Sequence, residues 1–498
     1  MDMRDIDMSD VPLGQQPVPG QQPVLVQQLV SGQQPVHRKQ SVYEQQPVLE
    51  QNPVFIQQST KTAPKKRRYI QVNKKFWIGH GAAMLWLIFS VIVSVPWLND
   101  LASHIGRPLA FIVIAGIGYI PGYINMFIAV SLIFDRQPPF RTTDPTDSVT
   151  IIIACRNEEK SIAHTLGYIK NQDYRGSIRV IVVDNASVDK TAQEARKAGE
   201  ELGIDILVLF EDNPGKYNAL NKALKYVNTE FAVTLDADTI LHKSALRYLV
   251  ARIDSAPGEV CAVAGTVLVR NSRENLLARL QEWDYFLGIA SIKRMQGLYQ
   301  GTLVAQGAYS LYRTEALREA GGWPDAIGED IVLTWSFLNS EKKVFFEPLA
   351  VAFTEVPITT KHLMRQRSRW ARGMIEALKL FKPWKQPVKY VRYLTGINLV
   401  MPYLDLVFTF CWIPGLILAF FGKYWLVGPA TLFVLPLALV QNYILYSYQR
   451  GVFRKLDLRI RRNRLGFVLY VLSYQMLMSP MSVIGYCEEI LMLRRKWK

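Results

Sequence analysis

Hydrophobic and polar positions divide this chain into five stretches of different character. Residues 15–60 repeat with period six: Gln15-Gln16-Pro17-Val18 is followed by recognisable copies from 21, 27, 33, 39, 45, 51 and 57. Proline in most units removes a backbone donor and blocks helix, and the sparse apolar content cannot offset the entropy of ordering, so residues 1–64 are expected to form a disordered tail. A hexapeptide β-helix shares the period but needs regular inward aliphatics over many more turns. Residues 76–98 then run for 23 positions without Lys, Arg, Asp or Glu, with Trp77, Trp86 and Trp97 along them. That is a spanning helix with interfacial aromatics, set too far from the N-terminus to be a cleavable signal. A second apolar block, 109–134, follows an expected loop of about ten residues, a connection of ordinary length. The two spans of region 65–135 should form a hairpin.

From residue 149 the pattern changes to short β-branched runs between polar helical stretches. Residues 149–154, 178–183, 205–210 and 230–235 read as strands. Such alternation predicts an α/β domain over 136–360 with a parallel sheet covered by helices on both faces, and ligands binding beyond the carboxyl ends of the strands. Asp184 and Asp236 both fall just past such an end. Region 361–393 is basic and amphipathic, as a helix on a membrane surface would be. Three further apolar blocks, 394–421, 424–446 and 465–493, fill region 394–498. Five spans would leave the C-terminus opposite the tail, whereas its basic end favours the cytoplasm; either the last block bends back at Pro480 or one block lies in the interface.

Charge sharpens this layout. Lys plus Arg exceed Asp plus Glu by 58 to 42, and the excess gathers beside the apolar blocks at 65–68, 365–372, 450–464 and 494–498. Basic residues so placed mark the cytoplasmic side and attract anionic lipid head groups, whereas nucleic-acid binding would want a basic patch on a soluble face. A multi-pass protein of the plasma (inner) membrane with a cytoplasmic central domain follows, with membrane lipids and no nucleic acid among its partners. Four cysteines without paired spacing and six scattered histidines leave no disulfide framework or soft-metal cluster, so any metal should be a hard cation on carboxylates.

Three strings carry candidate chemistry: Asp236-Ala237-Asp238, Gly328-Glu329-Asp330, and Gln366-Arg367-Ser368-Arg369-Trp370. The first sets two carboxylates at alternate positions of a turn after a strand, where they can point to one locus. The second starts a helix. The third places Gln366, Arg369 and Trp370 at i, i+3 and i+4, one helical face, with an apolar ring able to stack on a sugar. Taken singly, each has a plainer reading. An Asp-x-Asp turn arises by chance, Asp184 serves as a cap, Glu158 and Asp330 as helix-start acids, Lys216 as a solvated lysine, and the third string as an interfacial anchor.

In motif order over about 148–375 the chain resembles the membrane-embedded inverting glycosyltransferases of family 2, which include hyaluronan, chitin-oligosaccharide, poly-N-acetylglucosamine and cellulose synthases. The resemblance implies a GT-A (Rossmann-like) domain inserted between transmembrane helices and acting on a UDP-sugar. It further implies nucleotide-sugar contacts from Glu158, Asp184, Lys216 (in Gly215-Lys216 with Asn218-Ala219-Leu220-Asn221) and Asp236. A Mg²⁺ or Mn²⁺ ion would sit on Asp238, the general base would be Asp330 with Glu329 beside it, and acceptor contacts would come from Gln366, Arg369 and Trp370. Loops Gln306-Gly307-Ala308 and Gly321-Gly322-Trp323 resemble those around the acceptor. Many relatives carry Asp where this chain has Asn185, which leaves base contact to its amide. The expected activity is a processive inverting β-glycosyltransferase that elongates and translocates a glycan, an amino-sugar or hyaluronan-like product being favoured. Transfer of one sugar to a membrane lipid is the alternative, a catalytically silent scaffold a further one, and a separate secretion partner is left open.

Overall fold

The computed structural model describes residues 70–428, 431 and 434–493. The hexapeptide repeats, the basic runs 65–68 and 494–498, and four positions of the 424–446 block lie outside the described residues. Within the central domain β1 (Val149–Cys155), β2 (Ile178–Asp184), β3 (Asp205–Phe210) and β4 (Phe231–Asp236) pair in parallel in the order β3-β2-β1-β4. Each starts and stops within a residue of its β-branched run. Chain order reverses between β1 and β4, so a crevice opens beyond their carboxyl ends.

The other half of the sheet is not parallel throughout, contrary to the expectation. β7 (Tyr309–Arg313) runs antiparallel to both β4 and β6 (Val260–Val269). β8 (Lys343–Thr354) is parallel to β6, and the two-residue β5 (Ile240–Leu241) closes the edge antiparallel to β8. The full order is β3-β2-β1-β4-β7-β6-β8-β5. Direction depends on the side from which each connection re-enters the sheet, and an apolar run carries no record of that.

Alternate residues of the central strands feed two cores. Ile151, Ile153, Val180, Val182, Val233 and Leu235 pack on one face with Leu166, Ile169, Leu246 and Leu249. Ile152, Ile181, Val183 and Ala232 pack on the other with Leu220 and Ala223, and this cluster continues without a break to Phe76, Phe127 and Leu132 of the first two apolar helices. Each fully buried Val, Ile or Leu contributes about 1.5–3 kcal/mol, so this continuity ties the sheet firmly to the helical region. A buried ion pair, Arg294 to Asp135 at 2.6 Å, crosses the same boundary.

Among the described residues, four helices are long and apolar enough to cross a membrane: Val72–Ile105, Arg107–Ile133, Lys389–Phe420 and Arg464–Ile490. The first two are joined by Gly106 alone, at φ 81°, in place of the expected ten-residue loop. Helix continues through the polar residues 99–104 because hydropathy marks hydrocarbon contact, whereas backbone hydrogen bonding is indifferent to it. The 424–446 block corresponds to a helix starting later, Val434–Lys455, which is not one of the four. The last block does not bend back at Pro480, since Arg464–Ile490 is continuous. Its polar end instead carries Glu488 and Glu489 to the amphipathic helix Thr360–Leu380, where they meet Ser368, Arg372 and Lys379.

Candidate active site

Loops leaving β1 and β2 are laced to each other at the carboxyl edge of the sheet. Asn157 N–H donates to Ser187 Oγ at 2.9 Å, Val188 N–H to Asn157 Oδ1 at 2.9 Å, and Asn185 N–H to the Cys155 carbonyl at 2.8 Å. Asn157 and Ala186 hold φ of 59° and 55°, a left-handed backbone that costs an alanine about 1–2 kcal/mol and persists only where its surroundings fix it. Asp184 closes β2, buried, its Oδ1 accepting from Ser187 N–H at 3.0 Å. It caps that turn and not the following helix, which begins at Thr191. Glu158 is half-buried, accepts from Ser161 Oγ at 2.5 Å, and has its pKa raised by burial. The Asn185 amide is engaged elsewhere: its Nδ2 donates to the Glu211 and Asn213 carbonyls and its Oδ1 accepts from Gly215 N–H at 2.7 Å. This residue braces the 211–215 loop, both Nδ2 hydrogens being used and one lone pair of Oδ1 remaining.

Asp236 ends β4 and Asp238 follows in the turn. Lys216, the first residue of the helix Lys216–Leu224, reaches Asp236 Oδ1 at 2.5 Å. Its ammonium lies against Gly307: a Cβ built there would be 2.7 Å from Lys216 Nζ, so any side chain at 307 would displace it. Asp238 Oδ1 accepts from Thr239 and Thr354 hydroxyls, both at 3.2 Å. Burial, followed by the charges of Asp236 and Glu158, pushes its carboxyl up to about 7. A carboxylate so destabilised is one that a divalent cation would relieve. Among the described residues no group of three or more His, Cys, Asp or Glu could hold a metal. Asp238, with Asp236 two residues before it, offers oxygen donors of the type that Mg²⁺ or Mn²⁺ takes from one or two carboxylates, the rest being supplied by water and phosphate oxygens.

Opposite stands the helix Glu329–Asn339. Asp330 is half-buried; its Oδ2 accepts from Gly307 N–H at 3.2 Å and its Oδ1 from Ile331 N–H at 2.8 Å, which orients the carboxylate. Glu329 is buried, and burial together with the adjacent Asp330 raises its pKa. The turn entering this helix is held by Glu376 of the amphipathic helix, whose Oε2 accepts from Ile327 N–H at 2.7 Å and Gly328 N–H at 3.3 Å. Gly328 and Gly373 touch backbone to backbone: a Cβ on Gly373 would lie 2.8 Å from Gly328 Cα.

Gln366, Arg369 and Trp370 lie on that amphipathic helix and face the same space. Trp370 is 40% exposed, and the Arg367 guanidinium sits 4.1 Å from its ring centroid. Arg367 is itself buried, paired with Asp284 at 3.0 Å and with the Tyr474 hydroxyl. One face of the indole is thus covered by a fixed cation. Gln366 Oε1 is buried and has no hydrogen-bond partner among the described residues, an acceptor awaiting a donor.

A single cavity of about 520 Å³ unites these groups. Lys216, Asp236, Asp238, Glu329, Asp330, Gln366, Arg369 and Trp370 line it, with Asn398 contributed by the apolar helix Lys389–Phe420. Glu158 and Asp184 do not; they belong to the laced rim, Glu158 near enough for its charge to act on Asp238. Arg367, Glu376 and Asn398 escaped the sequence reading. For Glu376 a signal existed, since Gln366, Arg369, Gly373 and Glu376 recur at helical spacing on one face. Arg367 carries none, because its partners come from 83 and 107 residues away.

Chemically the cavity pairs an acid-and-cation cluster at the strand ends, suited to a polyanionic leaving group, with an oriented carboxylate and an aromatic platform. The profile of glycosyltransferase-like family 2 matches residues 145–373. Poly-beta-1,6-N-acetyl-D-glucosamine synthase from Staphylococcus aureus is 30% identical over 293 residues, 59% of this chain and 65% of that protein. Its Staphylococcus epidermidis namesake is 30% identical over 281 residues, 55% and 66%. The chain therefore spans just under two thirds of these relatives. A mannosyltransferase from Pyrobaculum calidifontis, solved with GDP-Man and Mn²⁺, superposes with a TM-score of 0.51 at 19% identity, over 77% of this chain and 99% of that one, a likeness of fold.

Proposed function

We propose that the protein is a processive inverting β-glycosyltransferase, residues 145–373 matching glycosyltransferase-like family 2, with a GT-A-like fold set among long apolar helices. It elongates a glycan from a UDP-sugar, UDP-N-acetylglucosamine being the favoured donor, and passes the product into its own membrane helices. One observation carries this reading: a single cavity joins the Asp236–Asp238 turn, Asp330, the Gln366–Trp370 face and a residue of an apolar helix, Asn398.

Asp330 takes the acceptor hydroxyl proton as the new bond to the sugar's anomeric carbon forms and the bond to the diphosphate breaks on the opposite face, inverting an α-linked donor to a β-linkage. Lys216 and Arg369 supply fixed positive charge toward the departing UDP. Asp238 would hold Mg²⁺ or Mn²⁺, which when bound neutralises developing charge on the diphosphate. Trp370, backed by Arg367, offers its free face to the acceptor ring, and Gln366 Oε1 accepts from an acceptor hydroxyl. Glu158 and Asp184 border the nucleotide. Basic residues 365–372 and 450–464 adjoin the domain, which supports a cytoplasmic orientation.

The test is radiolabel incorporation by the purified protein in lipid with Mn²⁺ or Mg²⁺, offering UDP-N-acetylglucosamine, UDP-glucose and UDP-glucuronate singly and together. A high-molecular-weight, lipid-free product is expected. A single-sugar, chloroform-soluble product would replace this reading with transfer to a lipid.

A further inference from the structure

Residues 276–298 form a continuous helical layer between the catalytic domain and the apolar helices, with a π-turn at Asp284–Ile289. Arg294 pairs with Asp135 just beyond the second span, and Phe286 packs on Phe453. The opposite face of this layer looks into the cavity. There Ile289, Ile292, Lys293 and Gln296 form a wall, reached from the other side by Asn398.

Lys293 is the one cation of that wall. Its Nζ donates to the Val304 carbonyl at 2.8 Å and to Gln306 Oε1, both neutral oxygens. Gln306 in turn donates to the Gly265 and Tyr309 carbonyls, so the amine rests on a rigid frame. The same loop supplies the Gly307 N–H that orients Asp330. An ammonium has three donors, of which this frame engages two. Burial draws the amine down to about 7, while the charge of Asp330 opposes that fall; a diphosphate entering the cavity favours the charged form further. Donor-side cations are already provided by Lys216 at the strand ends, whereas Lys293 is carried by the helix Ala290–Leu298, whose Arg294 is tied to Asp135 at the end of the second apolar helix.

We propose that Lys293 is an acceptor-recognition residue, presenting its remaining N–H to a hydroxyl or acetamido oxygen of the incoming neutral sugar so that the attacking hydroxyl is held at Asp330. The inference rests on the transferase reading above. It predicts that Lys293→Met, which keeps the stem and removes the donors, raises the acceptor KM at least tenfold and shifts turnover from transfer toward hydrolysis of the donor. Donor KM and UDP affinity stay within twofold. Lys293→Arg, which retains donors and charge, should recover part of the acceptor affinity and serves if the methionine variant folds poorly. The assay uses full-length protein in lipid, UDP-N-acetylglucosamine, and β-linked N-acetylglucosamine oligomers of stated length. An unchanged acceptor KM in both variants, with wild-type transfer intact, overturns the role of Lys293 alone, as does an equal loss of transfer and hydrolysis, the mark of a structural brace. Absence of transfer by the wild-type protein removes the reading beneath it as well.

Discussion

Gly373→Ala tests whether the amphipathic helix Thr360–Leu380 sets the position of the Asp330 carboxylate, the proposed base. The added Cβ would sit 2.8 Å from Gly328 Cα and 3.1 Å from Gly328 N, with Ile331 Cγ2 at 3.6 Å as a third neighbour. Carbon atoms rest at about 3.5–4.0 Å, so the helix and the 327–330 turn must separate by about 0.7–1.2 Å. Two hydrogen bonds from Ile327 and Gly328 to Glu376 oppose that movement. Overpacking of this size costs about 1–3 kcal/mol of stability. Displacing the base by about 1 Å costs on the order of 100-fold in rate, equivalent to about 2.7 kcal/mol in the barrier. Lys216 and the Asp236–Asp238 turn do not touch the substitution, whereas Arg369 rides on the same helix one turn away, so UDP affinity should fall only a few-fold while kcat for transfer falls about 100-fold. Transfer within twofold of wild type, in protein that retains UDP binding, would refute the claim that this glycine contact fixes Asp330.

Three further outcomes are expected. Asp330→Asn abolishes transfer and leaves UDP affinity nearly unchanged by calorimetry; retained turnover would remove Asp330 as the base. Asp238, raised to about 7 against about 4 in an unfolded chain, binds its proton in the folded state between those values, so its contribution makes the metal-free protein lose stability as pH rises through that window. Mn²⁺, competing with that proton, should therefore raise the melting temperature more at pH 8 than at pH 6, and Asp238→Asn should erase the difference; an equal shift at both pH values would place the ion elsewhere. Removing residues 1–60 should leave specific activity in lipid within twofold, and a large loss would give the repeats a function in the reaction.

Much of the candidate site was readable because its residues are close in sequence. Asp236 and Asp238 share a turn, Gln366, Arg369 and Trp370 a helical face, and Gly328-Glu329-Asp330 a helix start; local periodicity records such arrangements. The strands β1 to β4 were legible for a related reason, since a sheet buried on both faces demands unbroken β-branched runs. The ten-residue loop between the first spans failed because apolar length measures the hydrocarbon and not the helix. The bracing role of the Asn185 amide was not legible because its partners, Glu211, Asn213 and Gly215, are contributed by another loop.

By itself, then, the sequence determined the segments, their order and the acids able to do chemistry, because helix and strand periods, breaker residues and hydrophobic length act over a few neighbouring positions. Only the tertiary structure decided the direction of β7, the meeting of Gly373 with Gly328, the grip of Glu376 on the 327–330 turn, and the placing of Lys293 and Asn398 in one cavity with Asp330. Each depends on contacts between residues tens of positions apart, and the free energy of such contacts is fixed by packing that no local window contains.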